Sequence, residues 1–131
     1  MKILVPVDGS EYSEMAVEKV LDLAKKYKAE VTVLNVNSPI SALFDTPKQS
    51  RKDAEEIAKK AAAPLAKARI KSKAVGVIGD PADEIITMAE KGKFDLIVMG
   101  SLGLAVSKRF LVGSVTQKVV EHSPCSVLVV K

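Results

Sequence analysis

Five short apolar runs rich in β-branched residues punctuate the chain: Lys2–Val7, Glu30–Val36, Ser72–Ile78, Phe94–Met99 and Ser126–Val130. Inside them, ILVPV, LIVMG and VLVV are nearly continuous hydrophobic stretches, the pattern of strands covered by helices on both faces of a parallel sheet. The intervening segments have helical periodicity. Ala16, Val20, Leu23 and Tyr27 recur behind an N-cap at Ser10, with Glu11 and Glu14 near the positive end of the dipole. A second helix is predicted from about Ser50 to Ala68, with Ala54, Ile57, Ala61, Leu65 and Ala68 on one face and a kink at Pro64. A third opens on the cap Asp80 and Pro81 and buries Ile85, Ile86 and Ala89. The fourth begins near Gly113–Ser114, turns Val115, Val119 and Val120 inward, and stops before Pro124.

Strands alternating with helices predict an α/β fold, a doubly wound five-stranded parallel sheet with helices on both faces. The 131 residues and 47% hydrophobic content suit one domain, 1–131, with a continuous core. The connection Asn37–Gln49 is long, and it carries Pro39, Pro47 and the exposed-looking pair Leu43–Phe44. Loops of that length are often functional, and this pair fits a lid, a partner patch or a loop anchor.

Charge and cysteine usage narrow the functional classes. No run of about 18 apolar residues and no signal-peptide h-region is present, so a cytoplasmic, membrane-free protein is expected. The single cysteine, Cys125, offers neither a disulfide nor a zinc or dithiol pair, and reads as a small buried hydrophobe. A net charge of +4 raises the question of nucleic acid, but the lysines and arginines are interleaved with acids. With no tryptophan, two tyrosines and three phenylalanines, stacking platforms are lacking, and no nucleic-acid partner is expected.

In open parallel sheets, ligands bind beyond the carboxyl ends of strands where the winding reverses. The first strand delivers Pro6, Val7, Asp8, Gly9 and Ser10 to that end, and the fourth delivers Met99, Gly100, Ser101, Leu102 and Gly103. This is consistent with a switch point between them and the order 3-2-1-4-5. Gly100 and Gly103 allow tight turns with exposed amides, and Gly113–Ser114 bring a helix N-terminus to the same place. Ser114 and Thr116 add hydroxyls, and Lys108 and Arg109 lie between as charge partners. Neither a P-loop nor a dinucleotide GxGxxG is present. Spacing alone leaves two readings, a phosphate site and a loop that merely needs glycine turns.

The pattern Gly100-x-x-Gly103, nine residues, then Gly113-Ser114 resembles the G-2x-G-9x-G-[S/T] ATP motif of the universal stress protein family. The segments ILVPVDGSEYSEMAVEKVLDLA, GDPADEIITMAEKGKFDLIVMGSLG and GSVTQKVVEHSPCSVLVV resemble that family's opening, middle and close. The resemblance implies the doubly wound fold, dimers, and bound ATP or another adenine nucleotide, with Mg²⁺ or Mn²⁺ as an accompanying ion. By position it implies that Pro6, Val7 and Asp8 border the adenosine and that Val36 contacts adenine. Met99, Gly100, Ser101 and Gly103 would form the ribose and phosphate wall, and Gly113, Ser114, Val115 and Thr116 the phosphate cradle. Leu102 departs from the pattern, standing where many members carry Arg or His.

Plainer roles stand beside these. Asp8 suits a metal, a ribose or weak-base work, and equally a cap beside Ser10. His122, near the end of the fourth helix, suits dipole neutralisation better than catalysis. Three functions remain open: a nucleotide-dependent sensor with an unknown protein partner, a slow ATP hydrolase, and a dimeric scaffold. The last strand, SVLVV, is an apolar edge in the expected order, and edges of that kind pair. A homodimer through residues 126–130 is therefore expected.

Overall fold

The computed structural model describes residues 1–43, 46–103 and 112–131. Elements follow one another as β1 (Lys2–Pro6), α1 (Glu11–Tyr27), β2 (Glu30–Asn37), a 3-10 turn (Pro39–Leu43), α2 (Pro47–Lys67), β3 (Ser72–Ile78), α3 (Pro81–Lys91), β4 (Leu96–Gly100), α4 (Ser114–His122) and β5 (Ser126–Val130). All five strands are parallel, in the order β3-β2-β1-β4-β5. The expected fold class and strand order are both present.

Strand alternation divides the apolar side chains between two cores. Ile3, Val5, Val31, Val33 and Val98 meet Ala16, Val20 and Ala24 of α1 and Ala58, Ala62 and Leu65 of α2 on one face. Leu4, Leu34, Ile97 and Met99 meet Ala82, Ile85 and Ala89 of α3 and Val119 of α4 on the other. A continuous apolar run such as Ile3-Leu4-Val5 thus feeds both faces at once, which is why its sequence does not alternate.

Several boundaries and faces differ from expectation. The second helix starts at Pro47, capped by the Thr46 hydroxyl, and runs unbroken through Pro64. Its buried stripe is Ser50, Ala54, Ala58, Ala62 and Leu65, while Ile57 and Ala61 pack from its flank. Close approach governs the middle of that stripe: a Cβ at Gly76 of β3 would lie 2.2 Å from the Glu55 backbone nitrogen, which favours small residues there. Tyr27 and Val120, expected inside, are 53% and 50% exposed. Cys125 is half-buried against the second core. Part of the long connection is taken up by the 3-10 turn, on which Leu43 is 78% exposed; Phe44 lies outside the described residues.

The two sheet edges are unlike. Beside β3, Lys71 forms an ion pair with Glu30, and its ammonium, by hydrogen bond and then by charge, holds the Glu30 carboxyl below the usual glutamate range and is itself raised in return. A depressed carboxylate stabilises above its unfolded pKa, so this surface pair's small contribution is present at neutral pH and lost as acid protonates Glu30. At the other edge, β5 presents Leu128, 37% exposed.

The tight seat of α2 gives a direct test. Ala58→Leu overfills it and should cost about 1–3 kcal/mol in urea unfolding, whereas Tyr27→Ala at the exposed rim should change stability by less than about 0.5 kcal/mol.

Candidate functional site at the carboxyl ends of the strands

The site begins where the central strand stops. β1 pairs with β4 only at Ile3↔Leu96 and Leu4↔Ile97, and with β2 as far as Pro6↔Leu34. Its neighbours continue outward, β2 with β3 to Asn37↔Ile78 and β4 with β5 to Gly100↔Val130. A cleft therefore opens above β1, at the winding reversal. It holds a cavity of about 540 Å³, within the range of small-ligand sites.

Of the sequence-predicted residues, Pro6, Val7, Asp8, Val36, Met99, Gly100, Gly103, Gly113, Ser114, Val115 and Thr116 all line this cavity. Ser101 does not. It is buried, its N–H donating to the Val130 carbonyl at 2.9 Å and its carbonyl accepting from the Gly113 N–H at 2.6 Å. Lys108 and Arg109 lie outside the described residues. His122 is exposed in the last turn of α4, 3.9 Å from Glu121, and is not part of the lining.

Four polar residues were missed by sequence reasoning: Ser13, Asn35, Asn37 and Ser38. Asn35 and Asn37 carried a signal, being amides within the otherwise apolar run VLNVN. Apolar lining comes also from Leu34, Ile57, Pro81, Ile85 and Leu102. Leu102, noted only as a departure, is 9% exposed and forms part of the wall.

Among the described residues, three of the four α-helices have a side-chain cap at the N-terminus: Ser10 on α1, Thr46 on α2 and Asp80 on α3. α4 has none, since its N-cap is Gly113. The first intrahelical bond runs from the Gln117 N–H to the Gly113 carbonyl at 2.9 Å, so the amides of Ser114, Val115 and Thr116 precede the helical ladder. Those residues line the cavity, and the helix dipole favours an anion there. Two bonds fix this end against β4: Gly113 N–H to the Ser101 carbonyl, and the Thr116 hydroxyl to the Gly100 carbonyl at 2.9 Å.

Across the cleft, the Asp8 Oδ1 accepts from the Ser10 N–H at 2.9 Å, so the turn leading into α1 uses one carboxylate oxygen. The other faces Gly103, where a Cβ would stand 2.6 Å from Oδ2. A side chain at 103 would displace the Asp8 carboxylate, and the structural and ligand-side readings of Asp8 are compatible. Asp8 is the sole ionisable group among the described lining residues. No cluster of three or more His, Cys, Asp or Glu able to hold a metal occurs among the described residues.

A sequence model of the universal stress protein family matches residues 1–131. The chain belongs to the universal stress protein family. A universal stress protein of Methanocaldococcus jannaschii is 34% identical over 99% of this chain and 81% of its own length. Among solved structures, a universal stress protein UspA from Lactobacillus plantarum superposes with a TM-score of 0.84 at 30% identity, covering 100% of this chain and 97% of that one. A universal stress protein solved in complex with cAMP gives 0.79 at 25% identity, covering 100% and 97%. Family membership accords with the fold, and no helix among the described residues is long and apolar enough to cross a membrane.

The α4 anchor can be tested without any ligand. Thr116→Val keeps the shape and deletes the bond to Gly100, and should lower stability by about 1 kcal/mol in urea unfolding.

Proposed function

We propose that this chain is an adenine-nucleotide-binding regulatory protein of the stress response, acting as a single domain, 1–131, with ATP as the ligand and nucleotide occupancy as the switch. The observation that carries this is the uncapped N-terminus of α4 opening into a cavity of about 540 Å³ at the winding reversal. The fit has independent support from Gly103, where a Cβ would fill the space beside Asp8. A family relative at 25% identity was solved with cAMP, an adenine nucleotide in the corresponding fold.

In this reading the amides of Ser114, Val115 and Thr116 and the Ser114 hydroxyl take phosphate oxygens. Gly100, Gly103 and Met99 border the ribose, and Val7 and Val36 border the base. Asp8 would hold the ribose or a Mg²⁺ or Mn²⁺ accompanying the phosphates. A switch needs only binding and a change of partner, so no catalytic residue is assigned. Cytoplasmic location is part of the same reading.

Chromatography of nucleotide released by denaturing the purified protein tests the central claim. Adenine nucleotide should be found with the wild type and should be reduced at least tenfold with Gly113→Val. No released adenine nucleotide, together with no titratable ATP binding, would refute it.

The proposal includes a homodimer through β5. Its edge is apolar up to Lys131, whereas the β3 edge carries the exposed Lys71 and Lys73, charges that discourage strand pairing. Sedimentation at micromolar concentration should give a dimer, and Val129→Pro should give a monomer, since proline cannot donate to the new ladder. A monomeric wild type would sink the dimer.

A further inference from the structure

In a parallel pair, a residue's N–H and the next carbonyl are taken by alternate partners along the neighbouring strand. The Val7 N–H donates to the Leu34 carbonyl at 2.8 Å, so the next rung would run from the Val36 N–H to the Val7 carbonyl. That rung is not made: the paired register ends at Pro6↔Leu34. The Val7 carbonyl accepts instead from the Asn35 side-chain Nδ2 at 2.7 Å. Because only the NH₂ end of a carboxamide can face a carbonyl, this bond fixes the orientation of Asn35.

Two further facts bear on Asn35. The residue is only 3% exposed, and its Oδ1 is one of two buried side-chain polar atoms among the described residues with no hydrogen-bond partner. An unsatisfied buried acceptor is a cost that packing alone would remove by substituting an apolar residue. Meanwhile alternate residues of β2 turn their peptide groups to opposite neighbours: Val31 N–H and Asn37 C=O bond towards β3, and Leu34 C=O towards β1. Val36 shares the phase of Leu34, so its N–H and C=O face the β1 side, beyond the last rung and in the cavity wall.

We propose that Asn35 is a positioning residue: by occupying the Val7 carbonyl it ends the β1–β2 ladder and keeps the Val36 peptide edge open to the base of the bound ligand. This rests on the nucleotide reading above and deepens it. A peptide edge offering one donor and one acceptor matches the 6-amino group and ring N1 of adenine. It mismatches hypoxanthine, whose 6-oxo group and N1–H reverse the pattern. The edge therefore selects amino-purine over oxo-purine nucleotides, while the hydrogen bond that Asn35 makes goes to Val7.

The variants are Asn35→Val and, should Val overfill the site, Asn35→Ala. In the ligand-free protein, amide hydrogen exchange at Val36 should be fast in the wild type and slowed at least about tenfold in the variants, as the freed Val7 carbonyl takes the rung. In titrations with AMP and IMP, the variants should bind AMP about tenfold more weakly and lose the preference for AMP over IMP, while the urea midpoint stays level or rises. A purely structural asparagine would lower the midpoint and leave the AMP to IMP ratio unchanged. A Val36 amide already protected in the ligand-free wild type would overturn the proposal whether or not nucleotide binds. Unchanged AMP affinity and selectivity in both variants would overturn it with the nucleotide reading intact. A wild type that binds neither nucleotide would remove the nucleotide reading and the base-edge role with it, and fast Val36 exchange would then mark only where the ladder ends.

Discussion

A central strand that stops before its neighbours imposes the rest of this architecture. Each strand of a parallel sheet satisfies its peptide groups on both sides only while three strands run together. β1 loses β4 after Leu4↔Ile97 and β2 after Pro6↔Leu34, while the outer pairs continue to Asn37↔Ile78 and Gly100↔Val130. Peptide edges of β2 and β4 are thereby left facing one another across a gap that no strand fills. Side chains close part of it, as Asn35 does at Val7, and the remainder is cavity. The same early end lets the chain turn at Asp8 and Gly9, the latter at φ +83°, and enter α1 directly beside the gap.

The helix that closes the cleft depends on the strand it faces. α4 has no side-chain cap, and its start is held by bonds from Gly113 and Thr116 to the carbonyls of Ser101 and Gly100. The N–H of that same Ser101 is bonded to Val130, at the end of the edge strand. One short stretch of backbone therefore carries the cradle on one side and the last rung of β5 on the other. Any ligand that moved α4 would act on a segment hydrogen-bonded to the edge at which a second copy is proposed to pair. This is physical contiguity, and the pairing equilibrium is where an effect of occupancy would be read.

Much of this was legible in the chain. Strand runs showed because both faces of the sheet are covered, which leaves ILVPV and LIVMG without polar gaps. The site glycines showed by their spacing, and at Gly100 the cause is close approach, since a Cβ there would lie 2.7 Å from the Tyr12 backbone. What stayed hidden depends on distances between elements. The true inner face of α2 follows from its contact with Gly76, a residue remote in sequence, so periodicity pointed instead to the larger Ile57. Ser101 sits between two site glycines, yet it bonds to Val130 and Gly113 and turns away from the cavity. Asn35 was passed over because polarity in a strand reads locally as noise, and its role depends on a carbonyl 28 residues earlier.

The electrostatics of the lining bear on how such a site can hold an anion. Among the described residues the lining carries one ionisable side chain, the carboxyl of Asp8. From the described residues, attraction of an anion would come from oriented dipoles, the peptide N–H groups at the start of α4, which act over the first turn and are worth most where water is excluded. Apolar walls from Leu34, Met99, Ile85 and Leu102 lower the polarity around that end of the helix. Leu102 illustrates the balance: a cation in its place would add charge attraction, whereas leucine lowers the local polarity in which the dipoles act. Recognition through backbone groups is also less tied to pH than recognition through titrating side chains, because peptide dipoles do not ionise. In the proposed reading, selectivity would rest on where the ladders stop and which peptide groups they leave unpaired.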